Sequence, residues 1–137
     1  MRNALGAGSI RMAAVFAVAA GAAALAACDD ETTGPEATAD AYVVHGINGT
    51  DLGADEALPV DVSVSGQGCV LEGVEFRDVE GPLTLPADTT YDITVRLAAD
   101  DPCTGDVAIQ ASGVELRNGD NVSITAHLDA GGSPTAA

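Results

Sequence analysis

Three cysteines, two histidines and a large excess of carboxylates hold whatever chemistry this chain can do. Asp51, Asp55 and Glu56 share one Gly-rich loop, and Asp100, Asp101 and Asp106 share another beside Cys103. Hard cations take several oxygen ligands from flexible turns, so these six carboxylates form a candidate calcium site if the two loops meet. Their spacing does not fit an EF-hand loop, and solvated acidic loops account for the same residues. His45 precedes the first acidic loop, which leaves a His–carboxylate pair open; His45 is the one candidate polar site outside the acidic loops. Ser63, Ser65, Ser112 and Ser123 lie in no Gly-x-Ser-x-Gly context, so none sits on a nucleophile elbow. The chain has no HExxH spacing and no phosphate-cradling loop. No catalytic set assembles, and the chain is not expected to be an enzyme; a small hydrolase is the remote alternative.

Cys28 carries the clearest chemistry. Before it, Arg2 and Arg11 are the only charges, and Met12–Ala27 is a run of 16 apolar residues or glycine. That is shorter than the roughly 20 residues a membrane-crossing helix needs. A basic start, a short apolar stretch and small residues before a cut describe a secretory signal peptide over residues 1–27. Leu25-Ala26-Ala27-Cys28 resembles the bacterial lipobox. The resemblance implies cleavage between Ala27 and Cys28, with a diacylglycerol on the Cys28 thiol. Two or three acyl chains hold a protein stably on a membrane, where one holds it marginally. Asp29, directly after that cysteine, resembles the inner-membrane retention signal of enteric bacteria; the leaflet stays open. The membrane, reached through this lipid, is thus the first expected partner, and the location is extracytoplasmic, in the periplasm or at the cell surface.

All 21 acidic residues lie from Asp29 onward, against Arg77, Arg96 and Arg117 and no lysine, so residues 28–137 carry a net charge of −18. Nucleic acid and anionic headgroups repel such a surface. Residues 28–39 are charged and rich in Thr, Gly and Pro, with nothing to bury, and read as a disordered tether. Its eleven residues after the cysteine reach roughly 35 Å when extended.

Residues 40–129 alternate with period two. Leu58, Val60, Val62 and Val64 alternate with Pro59, Asp61 and Ser63; Tyr91, Ile93, Val95 and Leu97 with Thr90, Asp92, Thr94 and Arg96; Val122, Ile124, Ala126 and Leu128 with Asn121, Ser123, Thr125 and His127. Each pattern gives a strand with one dry and one wet face. Ala41–Gly46 is a further strand, and Val70–Leu71, Val74–Phe76, Leu83–Leu85, Val107–Ala111 and Val114–Leu116 are shorter candidates. Asn118-Gly119 suits a tight reversal before the last strand. Six to eight short strands with frequent turns predict an all-β fold, a small antiparallel β-sandwich with immunoglobulin-like topology. Residues 130–137 are expected to form a flexible tail.

With Cys28 lipidated, two thiols remain in an oxidising compartment, and Cys69 and Cys103 are expected to pair. Closing a loop of this length stabilises by roughly 3–4 kcal/mol in the chain-entropy model. Two isolated cysteines without CxxC spacing are poor metal ligands.

Val44-His45, Pro59-Val60-Asp61-Val62, Leu85-Pro86-Ala87 and Asn118-Gly119-Asp120 follow in one order. Over about Ala41 to Leu128 this pattern resembles the bacterial domain of unknown function numbered four-three-nine-seven, found in secreted and lipid-anchored proteins. The first loop departs from that family's compact form, running longer through Asn48–Gly53. The resemblance implies a sandwich outside the cytoplasm and brings no activity, cofactor or site residue. The sequence therefore reads as a cell-envelope lipoprotein, a non-catalytic binding or structural module for an envelope protein or glycan. The alternative is a calcium-dependent binding module.

Overall fold

A computed structural model of the chain describes residues 36–137. The leader, the Ala27–Cys28 cleavage and lipidation site and the first eight tether residues lie outside the described residues. Eight strands follow in order: β1 (Thr38–His45), β2 (Val60–Val64), β3 (Gly68–Val74), β4 (Val79–Pro86), β5 (Thr89–Leu97), β6 (Val107–Leu116), β7 (Asn121–Leu128) and β8 (Pro134–Ala136). They form two four-stranded sheets, β4-β1-β7-β8 and β3-β2-β5-β6, which is the all-β sandwich that the alternating pattern predicts. The core lies between them. Val60, Val62 and Val64 of one sheet and Ala39, Ala41 and Val43 of the other belong to one apolar cluster, with Ile93, Val95, Ile109 and Leu116. Burying each of these valines contributes roughly 1.5–3 kcal/mol. Tyr91 puts its ring in this core while its hydroxyl donates to the Pro86 carbonyl at 2.7 Å, fixing the corner between β4 and β5.

The strand order is more specific than the sequence pattern. β1 and β2 sit in different sheets, whereas an immunoglobulin constant domain keeps its first two strands in one. The pairing is mostly antiparallel, but β1 runs parallel to β7, with Asp40 opposite Asn121 and His45 opposite Ala126. Alternation sets which face of a strand is dry; it does not carry partner order.

Several boundaries also differ from expectation. Thr38 and Ala39, placed in the tether from composition, begin β1, and Ala39 is buried. Val107–Ala111 and Val114–Leu116 are one strand, β6, with a register shift opposite Tyr91–Ile93 that Gly113 permits at φ +72°. Phe76 leaves the sheet, because Glu75–Asp78 close a turn in which the Asp78 carboxylate accepts from the Glu75 N–H at 2.9 Å. Residues 130–137 do not form a free tail. The Asp129 carboxylate accepts from the Gly131 and Ser133 N–H groups, closing a turn that returns β8 along β7.

Candidate binding surface at the loop end

The four loops β1–β2, β3–β4, β5–β6 and β7–β8 share one end of the sandwich. The Arg77 N–H donates to the His45 carbonyl at 2.8 Å, and the Phe76 N–H to the Ala57 carbonyl at 2.8 Å, which ties the β3–β4 turn to the β1–β2 loop. The Ala98 N–H donates to the Pro59 carbonyl at 2.9 Å, which brings in the β5–β6 loop. The chain enters at the other end, where Thr38 accepts from the Gly119 N–H and Asp40 donates to the Asp120 carbonyl.

Charge and apolar exposure both concentrate at the loop end. Its four loops hold nine carboxylates and one guanidinium, that of Arg77. The turns of the opposite end hold Asp88 and Asp120 against Arg117. Of the exposed large apolar residues, Leu52 lies in the β1–β2 loop, and Val79, Leu97 and Val107 are the strand residues nearest the loop end. Val79, 63% exposed, follows the β3–β4 turn directly.

Between the first two loops lies a cleft of about 270 Å³ lined by Glu56, Ala57, Glu75, Phe76 and Arg77. The Arg77 guanidinium stands 4.8 Å from the centre of the Phe76 ring, a cation–π contact. Arg77 holds φ at +79°, a left-handed conformation that costs a side-chain-bearing residue about 1–2 kcal/mol. Among the described residues the one salt bridge within 4.0 Å is Arg117–Glu115, so Arg77 forms no salt bridge with Glu56 or Glu75.

The β5–β6 loop is held differently. Cys69 and Cys103 are joined by a disulfide, with Cα atoms 5.8 Å apart. Beneath it lies Asp61, 2% exposed, whose two carboxylate oxygens accept from the Gly73 N–H at 2.9 Å and the Cys103 N–H at 2.8 Å. Arg96, opposite Asp61 on β5, donates to the Gly105 carbonyl at 2.9 Å. Gly105 packs its backbone against the Leu97 carbonyl so closely that a Cβ there would collide with it. Alternation puts Asp61 and Arg96 on the wet face. The loop folds back over that face and makes it dry.

The six acidic candidates divide as the loops do. Asp51, Asp55 and Glu56 are exposed on the β1–β2 loop, and Asp100, Asp101 and Asp106 on the β5–β6 loop. The loops share an end and touch through Ala98 and Pro59. Among the described residues no three His, Cys, Asp or Glu side chains converge on a point that could hold a metal ion. His45 does not pair with a carboxylate. Its Nδ1 accepts from the Ile47 N–H at 3.3 Å, so Nε2 carries the proton and donates to the Leu58 carbonyl at 2.8 Å. Buried to 2% exposure, the ring shapes the start of the β1–β2 loop and offers no free nitrogen. The His127 ring sits against the Thr125 carbonyl at 3.2 Å.

The cleft leaves little trace in the sequence. Glu75 and Phe76 read as the end of a strand, and the positive φ of Arg77 has no signature in an Arg codon. A Phe-Arg-Asp turn among so few aromatics is the one available signal. No family model matches the chain, and neither the curated proteins nor the solved structures hold a significant match.

Proposed function

We propose that this protein is a lipid-anchored envelope module that performs no catalysis and binds a partner through its loop end. The observation that carries the reading is topological: the chain enters β1 at the end opposite the four loops. The described chain therefore reaches the sandwich without passing over those loops. They are also pre-ordered, by the Phe76–Ala57 bond, the Asp61 clamp and the disulfide, so a partner meets a surface whose ordering entropy is already spent. His45, with both ring nitrogens engaged by backbone, supports binding over chemistry. The lipobox and the resemblance to family four-three-nine-seven both support a place outside the cytoplasm.

The test joins anchoring to orientation. Full-length chain should incorporate labelled palmitate and fractionate with membranes, and Cys28→Ser should abolish both. A photo-crosslinker at Leu52 should then trap a discrete partner, where one at Asn118 does not. Unchanged fractionation of the Cys28→Ser chain removes the anchor; equal trapping from both positions removes the orientation. The calcium-dependent reading is favoured by one observation, the contact between the two acidic loops at Ala98 and Pro59. Melting with calcium and with chelator decides it, and identical midpoints end it.

A further inference from the structure

We infer that the cleft between Glu56 and Glu75 receives a lysine side chain from a basic segment of a protein partner. This rests on the binding-module reading and assigns it a site and a chemistry. At about 270 Å³ the cleft falls below the range of pockets that enclose drug-sized ligands, and suits one long side chain. Its walls ask for a particular one. Ala57 and Phe76 offer apolar surface to an aliphatic stem, and Glu56 and Glu75 offer carboxylates to a cationic head, the division that a lysine presents.

Charge excludes the opposite ligand. The two loops that form the cleft hold five carboxylates, those of Asp51, Asp55, Glu56, Glu75 and Asp78, and an anionic group approaching it would be repelled. The one guanidinium of these loops, that of Arg77, also lines the cleft, but it rests on the Phe76 ring and forms no salt bridge with either glutamate. Both carboxylates thus stay open to a cation supplied from outside. The cleft is also built in advance: the Phe76–Ala57 backbone bond fixes its two walls at one spacing. Val79, exposed directly after the turn, gives the partner an apolar contact beside the charged one.

The experiment uses the ¹⁵N-labelled full-length chain in a non-ionic detergent, titrated with pentalysine and, separately, with a neutral disaccharide. Pentalysine should move the amide resonances of Glu56, Glu75, Phe76 and Arg77. Glu56→Gln with Glu75→Gln should weaken its binding about tenfold or more, as expected for losing charge-assisted hydrogen bonds. The charge-matched pair Asp88→Asn with Asp120→Asn, at the far end, should change it less than about twofold, the scale of a screened distant charge. Equal weakening by the two pairs would show attraction to net charge alone and overturn the assignment. So would movement of the cleft resonances by the disaccharide and not by pentalysine. In either case a chain that remains anchored and still crosslinks from Leu52 keeps the module reading while losing this one.

Discussion

Replacing Asp61 with alanine removes the carboxylate that accepts from two backbone N–H groups, those of Gly73 and Cys103. Both bonds are part-buried, so each donor left without this partner costs about 1–2 kcal/mol, the low side of the fully buried penalty. The deleted carboxylate no longer has to be desolvated within a strongly acidic domain, which offsets part of that. The balance is a loss of roughly 3 kcal/mol, comparable to the roughly 4 kcal/mol expected of the disulfide over a separation of 34 residues. Asp61→Asn keeps one acceptor and should lose about half as much. Urea denaturation of the oxidised protein reads both values. The bridge and the carboxylate hold the same two elements, β3 and the β5–β6 loop, so their effects should not add. In Cys69→Ser with Cys103→Ser the loop can lift and hydrate the Cys103 N–H, and Asp61→Ala should cost less there by about 1 kcal/mol or more. A loss under about 1 kcal/mol in the oxidised protein, or strict additivity, would refute the clamp.

Breaking the disulfide by Cys69→Ser with Cys103→Ser should lower stability by roughly 4 kcal/mol in urea denaturation, and a non-reducing mass measurement on the native chain should find no free thiol at either position. Tyr91→Phe should cost about 1 kcal/mol, measured the same way, through loss of the bond to the Pro86 carbonyl. Arg77→Gly relieves the left-handed strain and should leave the melting point unchanged or raised, while loosening the Phe76 ring that it covers. The Asp129 carboxyl titrates below its ordinary value near 3.8, first through the Ser133 N–H and then through that of Gly131. A carboxylate depressed in the folded state stabilises above its unfolded pKa, and the contribution fades as pH falls through the lower folded value. Amide shifts of Gly131 and Ser133 should therefore hold down to about pH 4 and collapse below it, and Asp129→Asn should remove that transition.

Strands with a wet and a dry face announced themselves. β2, β5 and β7 carry apolar residues at every second position, and Asn118-Gly119 marks the turn before β7 at Gly119 φ +80°. β8 did not, because Pro-Thr-Ala among glycines has no periodicity to read; it forms because the Asp129 turn aims it back along β7. Asp61 looked like an ordinary solvent-facing acid. Its burial depends on a loop that begins some 37 residues later, and local pattern contains no trace of such a cover. The acidic loops were legible as loops, and their common end follows from pairings that only the assembled sheets define. The cleft was least visible, because it is made from a backbone bond between Ala57 and Phe76, two residues with no chemistry of their own to draw attention.

The parallel seam between β1 and β7 also governs the order in which the domain can be completed. β2, β3, β5 and β6 pair among themselves, so that sheet can close once residue 116 has emerged from whatever delivers the chain. β1 has β4 on one side but waits for residues 121–126 on the other, some eighty positions downstream. Such distant pairing slows the search for the native arrangement. Until β7 arrives, the backbone donors and acceptors of Asp40 through His45 lie bare along one side, an open template for a stray strand. A nascent copy thus passes through an interval in which half of its architecture is finished and its first strand is still unprotected.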